Sequence, residues 1–248
     1  MKFIRNEIRE SALSRGLFIA SGAVSPVEIA AECGFDWLLL DMEHGLGDEH
    51  ATLQQITALK HSNTAPIVRI PTLAEATVKR ILDFGASGIM APMIESREKA
   101  ERLVRAMRYP PEGIRGLSSG SRAADYGFDF KEYFRRANRE LLCIAQIESE
   151  AAVRNIDSIA SVEGIDVLFI GHSDLSLGLG CYNQFDSEAM RFAEKAVIEA
   201  ARKYGKTAGM LLKPSMSPAD CIERGFRFLA MGTDHNCMKS AFRQLLER

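Results

Sequence analysis

Trp37-Leu38-Leu39-Leu40 is apolar at every position, and the chain then turns abruptly polar in Asp41-Met42-Glu43-His44-Gly45. An apolar run without alternation suits a strand covered on both faces, the environment of a parallel sheet. The same signature recurs at 17–20, 67–70, 89–92, 142–147, 167–170, 208–212 and 228–231. Between these runs lie amphipathic stretches with recognisable helix starts. Ser25-Pro26-Val27-Glu28 reads as an N-cap, a proline at the first helical position and an acid three residues beyond the cap, and Ser217-Pro218-Ala219-Asp220 repeats it. Over 188–204 the apolar residues Met190, Ala193, Val197 and Ala200 keep helical spacing, and Gly205 follows as a terminator. Strand runs alternating with helices eight times over predict an α/β fold, a (β/α)8 TIM barrel spanning 1–248 as one domain. The main alternative is a doubly wound open sheet. The absence of a G-x-G-x-x-G after the first strand weakens its dinucleotide-binding form. The widest gap, between Pro92 and Leu142, holds the stiff turn Arg108-Tyr109-Pro110-Pro111-Glu112-Gly113, a Gly/Ser-rich loop over 116–121 and a helix over 130–138.

The 248 residues can form a sizeable core, burying on the order of 70% of the unfolded surface. With 46% hydrophobic and 26% charged residues, the composition is that of an ordinary globular protein. Thirty-one Lys and Arg against 33 Asp and Glu give a net charge of −2, so no positive excess favours nucleic acid. No apolar run approaches the ~18 residues that cross a bilayer. The start, Met1-Lys2-Phe3-Ile4-Arg5-Asn6-Glu7, mixes charges and lacks the apolar core of a signal peptide. The expectation is a cytoplasmic protein with no membrane or nucleic-acid partner. The five cysteines, Cys33, Cys143, Cys181, Cys221 and Cys237, form no C-x-x-C pair, which argues against a disulfide frame or a thiolate zinc site.

In such a barrel the functional groups stand just past the C-terminal ends of the strands. Four strand ends carry suitable groups. Asp41 to His44 follow the second strand, Arg69 ends the third, Gln146-Ile147-Glu148 ends the fifth, and Gly171-His172-Ser173-Asp174 follows the sixth. Glu148 and Asp174, on different loops, can hold a hard divalent cation and leave positions open for water and substrate. Arg69 can fork onto a carboxylate or steady an oxyanion. His44, three residues after Asp41, can act as a general base whose tautomer its partner sets. Local sequence alone allows plainer readings too: Glu148 as a solvated acid in a first helical turn, Asp174 as an N-cap, His44 as a surface-loop residue. An arginine beside a strand needs a buried partner. His50, His61 and His235 read as surface residues, Trp37 and the methionines as packing.

Taken together, the segments 34–44, Leu82-Asp83-Phe84-Gly85-Ala86, 108–116, Gln146-Ile147-Glu148 and 162–171, closed by Asp174-Leu175-Ser176, resemble the metal-dependent class II pyruvate aldolases of the HpcH/HpaI type. The likeness runs in order over essentially the whole chain. It implies a barrel that reversibly cleaves 4-hydroxy-2-oxo acids to pyruvate and an aldehyde. It further implies Glu148 and Asp174 as ligands of Mg2+, Mn2+ or Co2+, Arg69 at the enolate oxygen, and His44, paired with Asp41, handling the C4 hydroxyl proton. Gln146 and the backbone from Gly171 to Ser173 would line the pyruvate pocket, with Leu211 as an apolar wall. Asp83 would reach into a neighbouring subunit's site, in a homo-hexamer built as a trimer of dimers. Cleavage leaves a carbanion beside a carbonyl, which a Lewis acid and a cation spread onto oxygen. A lysine imine is the other solution, and Lys213, past the seventh strand, is the nearest lysine to the rim. The segment 117–127 looks closer to the sugar-acid branch, such as enzymes for 2-dehydro-3-deoxy-glucarate, with Arg122 meeting an acidic substrate tail. His172 departs from the family, which usually has proline there. A citrate- or CoA-ester-type lyase or synthase of the phosphoenolpyruvate/pyruvate barrel superfamily, to which the resemblance also assigns the chain, and a non-catalytic metabolite-binding barrel, are the competing readings.

Overall fold

The computed structural model describes residues 2–10, 12–213 and 216–247. Eight parallel strands close into a barrel in sequence order: β1 (Ser14–Ile19), β2 (Trp37–Asp41), β3 (Ala65–Arg69), β4 (Gly88–Ala91), β5 (Leu142–Ile147), β6 (Val167–Ile170), β7 (Thr207–Leu211) and β8 (Phe228–Thr233). The helices are α1 (Arg5–Arg9), α2 (Ser25–Glu32), α3 (Glu49–Ala58), α4 (Glu75–Phe84), α5 (Arg97–Met107), α6 (Phe130–Glu140), α7 (Glu150–Arg154), α8 (Ile156–Ala160), α9 (His172–Gly178), α10 (Glu188–Lys203), α11 (Pro218–Arg224) and α12 (Asp234–Leu246). A 3-10 segment, Arg122–Gly127, precedes α6. The α/β barrel is therefore the architecture, and the open doubly wound sheet is not.

Burial on both faces explains the continuous apolar runs. One set of strand residues packs outward under the helices, with Leu38, Leu40 and Val68 among them. The alternate set, including Phe18, Trp37, Leu39, Ile67, Ile144 and Phe169, fills the barrel interior. Ile4 and Ile8 of α1 belong to that inner cluster and close the N-terminal mouth. Trp37 lies flat on Phe228, ring centroids 4.1 Å apart and planes within 3°. Gly16, its register partner on β1, makes that possible, since a Cβ there would fall 2.0 Å from the indole. Burying such an aromatic pair adds to the area term about 0.5–1.5 kcal/mol.

Two helix starts that look alike in sequence differ in structure. Ser217 caps α11 with a full capping box, its side chain accepting from the Asp220 N–H while Asp220 accepts from the Ser217 N–H. Ser25 does not cap. It is the first residue inside α2, Val24 holds the cap position, and no side chain bonds the free N–H groups there. Among the described residues, no helix is long and apolar enough to cross a membrane, and the five cysteines are free thiols.

Candidate active site

The register of β2 against β3 sets Asp41 beside Arg69 at the C-terminal rim. The guanidinium forks onto the carboxylate, Nε to Oδ1 at 2.9 Å and NH2 to Oδ2 at 2.6 Å. Its third nitrogen, NH1, stands 3.0 Å from Glu43 Oε2, and the Phe18 ring lies 5.5 Å away on the barrel side. Burial works against charge on both partners. The hydrogen bonds and attraction of Arg69 outweigh it and hold the Asp41 carboxyl below its ordinary range. Asp41, Glu43 and Glu148 likewise raise Arg69. The outcome is a rigid, permanently charged cation facing the rim.

His44 relates to Asp41 differently from the expected side-chain pair. Asp41 Oδ1 accepts the backbone N–H groups of Glu43 at 3.1 Å and His44 at 3.3 Å. The carboxylate's main partner is Arg69, because a planar fork satisfies both oxygens at once. The His44 side chain stands exposed at the rim.

Glu148 is buried, not solvated. Its Oε1 accepts the Met93 N–H at 2.7 Å, and its Oε2 accepts from the Gln146 side-chain amide. Met93 lies past β4 with φ of 53°, a left-handed conformation uncommon for its size, and that turn aims its N–H at the carboxylate. Gly171 crowds the other side, where a Cβ would meet Glu148 Oε2 at 2.6 Å. Burial pushes the Glu148 carboxyl up, and the neighbouring Glu43 and Asp174 charges add to that against the Met93 and Gln146 hydrogen bonds. Glu43 is pushed up in the same way, by burial first and then by Asp41 and Asp174 against Arg69 and His44. Asp174 sits in the first turn of α9, whose cap is Gly171, so it is not the N-cap. Ser173 and Asp174 are exposed, and Leu211, ending β7, packs half-buried on the inner barrel cluster.

Asp41, His44, Arg69, Gln146, Glu148, Gly171, Ser173, Asp174 and Leu211 thus sit on strand ends or first loop turns at one rim. Asp83 and Arg122 do not. Asp83, on α4, accepts from buried Arg115 at 2.7 Å, and Arg122 donates to the Phe84 carbonyl at 2.7 Å. A crossover helix runs back along the barrel, so the end of α4 lies on the N-terminal side. There Arg122 lines a cavity of about 310 Å3 with Lys60, Asp129 and Arg136. Glu43 and the Met93 amide are the rim groups that sequence reasoning missed. Glu43 had a signal, two residues beyond Asp41, whereas a backbone N–H aimed by an unusual φ leaves none.

Among the described residues, no group of three or more His, Cys, Asp and Glu side chains could cage an ion by itself. The rim nevertheless fits a hard divalent cation bound by two carboxylates with open positions. Glu148 follows β5 and is buried, Asp174 stands exposed in the first turn of α9 after β6, and the Asp174 charge that helps push Glu148 up is what a cation between them would relieve. Lys213 is buried, and its ammonium is bonded to Glu194 and to the Phe185 carbonyl.

The molecule is a parallel α/β barrel that gathers an Arg–Asp fork and several carboxylates at its C-terminal rim, the end where barrel enzymes carry their active sites. The pattern of the HpcH/HpaI aldolase/citrate lyase family matches residues 14–241. A 5-keto-4-deoxy-D-glucarate aldolase from Shigella boydii is 38% identical over 220 residues, 89% of this chain and 85% of that protein. A crystal structure of an HpcH/HpaI aldolase/citrate lyase family protein from Burkholderia cenocepacia superposes with a TM-score of 0.94 at 31% identity, over 98% of this chain and 97% of the other. The HpcH/HpaI aldolase from Desulfitobacterium hafniense does so with a TM-score of 0.90 at 29% identity, over 100% and 96%. The chain belongs to the HpcH/HpaI aldolase/citrate lyase family. It is an aldolase-type enzyme, a carbon–carbon lyase.

Proposed function

We propose that this single-barrel enzyme cleaves 4-hydroxy-2-oxo acids, 2-dehydro-3-deoxy sugar acids among them, to pyruvate and an aldehyde. The observation that carries the reading is the Arg69–Asp41 fork set beside the Glu148 and Asp174 carboxylates. The relative that acts on 5-keto-4-deoxy-D-glucarate supports the sugar-acid class. Glu148 and Asp174 are the residues that would hold Mg2+, Mn2+ or Co2+. When bound there, such an ion supplies Lewis-acid polarisation of the substrate's keto oxygen. Arg69, already locked by Asp41 and Glu43, presents its guanidinium to the charge that develops on that oxygen and needs little reorganisation to do so. His44, exposed at the rim, takes the proton of the C4 hydroxyl. The C3–C4 bonding pair then moves to C3, the aldehyde leaves, and protonation at C3 gives pyruvate. Gln146 and the backbone from Gly171 to Ser173 orient the oxo-acid end, and Leu211 walls the pocket.

A hexamer, with Asp83 serving a neighbouring subunit, is the assembly we propose. It is supported by α12, whose Phe242, Leu245 and Leu246 are exposed on a helix that touches the barrel mainly near its first residues. The test of the reaction follows pyruvate release, coupled to lactate dehydrogenase, from a panel of 4-hydroxy-2-oxo acids. It is run with EDTA, with each metal restored, and with Glu148→Ala. Release that needs metal and vanishes in the variant is expected. Release that survives EDTA would overturn the metal assignment, and no release from any substrate would overturn the reaction.

A further inference from the structure

Behind the rim, on the helix layer, three basic side chains from separate segments meet at one carboxylate. Glu194 sits in the middle of α10, a 16-residue helix seated on the core by Met190, Ala193, Val197, Ala200 and Ala201. Its Oε1 takes the Nε2 of His172 at 2.9 Å and also the ammonium of Lys213, and its Oε2 takes Arg224 NH1 at 3.1 Å. His172 is the first residue of α9, Lys213 follows β7, and Arg224 ends α11. His172, Glu194 and Lys213 are all buried. Burial pushes the Glu194 carboxyl up, but the hydrogen bonds and charges of His172 and Lys213 outweigh it and bring it down to about 2. The Glu194 carboxylate can only accept, so His172 Nε2–H is the donor of their bond. The ring is further fixed by the edge of Phe185, centroids 6.2 Å apart.

The start of α9 is therefore gripped from two sides. Inside, Gly171 lies against Glu148 with no room for a Cβ. Outside, His172 is bonded to Glu194. Ser173 and Asp174 follow within the same turn. We propose that Glu194 is a positioning residue that acts through His172 to fix the α9 turn, and with it Asp174, relative to Glu148. The network thereby sets the affinity of the rim for a divalent cation. This rests on the reading of Glu148 and Asp174 as the cation-holding pair. Groups bonded behind metal ligands typically change affinity by about 10–100-fold when removed.

The test is direct Mn2+ titration by calorimetry and by loss of the free-ion paramagnetic resonance signal, with thermal unfolding recorded alongside. Wild type, Glu148→Ala, Glu194→Gln, His172→Phe and His172→Gln are compared. His172→Phe keeps a ring but loses the bond, and His172→Gln restores an N–H donor near the Nε2 position. Expected are Mn2+ binding by wild type, its loss in Glu148→Ala, and weakening of about 10-fold or more in Glu194→Gln and His172→Phe. Within about threefold of wild type is expected for His172→Gln. Wild-type affinity in Glu194→Gln or His172→Phe, with only the melting temperature lowered, would reduce the cluster to packing and overturn the proposal while leaving the cation site intact. Equal weakening in the Phe and Gln variants would overturn it too, because the restored bond would then have done nothing. No Mn2+ binding by wild type would sink the cation site itself and the proposal with it.

Discussion

Arg69 is the residue on which site chemistry and site architecture coincide. All three of its nitrogens face a carboxylate, so Arg69→Lys cannot restore the fork with one ammonium. We expect a fall in kcat of about 100-fold or more, with a smaller change in KM, measured by steady-state pyruvate release. Gly171 is a close-approach position. Gly171→Ala should fold, by circular dichroism, yet lose about 10-fold or more in Mn2+ affinity by calorimetry as the methyl displaces Glu148. Glu194 yields a pH prediction. Its folded pKa lies below its ordinary value of 4.5, at about 2, so its stabilising contribution is complete above 4.5 and disappears as the pH falls through about 2. Urea titrations across that acid window should show wild type losing stability more steeply than Glu194→Gln, with the variant less stable at neutral pH. Parallel curves would show that the carboxylate is not held down. The types and strand-end positions of Asp41, Arg69 and Glu148 were legible in the sequence, because an apolar run that stops at a charged group marks a rim. Which carboxylate takes which cation was not, since that follows from the β2–β3 register.

At the level of single elements, the strands were legible because both-face burial imposes an unmistakable pattern, and β5 and β6 fall on the apolar runs 142–147 and 167–170. The ends drift by a few residues elsewhere. β1 begins at Ser14, before the run at 17–20, because its first residues pair with β8. Helix starts were less secure. Ser-Pro-x-acid describes both 25–28 and 217–220, yet only Ser217 turns its side chain back onto the helix. Ser217→Ala should therefore cost about 1 kcal/mol, and Ser25→Ala should stay within about 0.5 kcal/mol of wild type, both read from chemical denaturation. Equal losses would show that the two starts are alike after all.

For the molecule as a whole, the barrel interior depends on complementary sizes from strands distant in sequence. Trp37 stacks on Phe228 only because Gly16 leaves the space, so Gly16→Ala should destabilise by about 1–3 kcal/mol or more through overpacking, measured as a shift in the denaturation midpoint. The exposed apolar residues of α12 carry the corresponding prediction for assembly. Phe242→Glu with Leu246→Glu should shift sedimentation to a smaller species, and an unchanged sedimentation coefficient would remove α12 from the interface. Periodicity and composition were enough to specify an eightfold α/β barrel, and the resemblance pointed to pyruvate aldolase chemistry, because strand burial and strand-end polarity are local properties written residue by residue. The Arg69–Asp41 fork, the Met93 amide on Glu148, the Glu194 cluster and the separation of Arg122 from the rim depend instead on register and on contacts between residues 19 to 55 positions apart. Such contacts exist only once the barrel has closed.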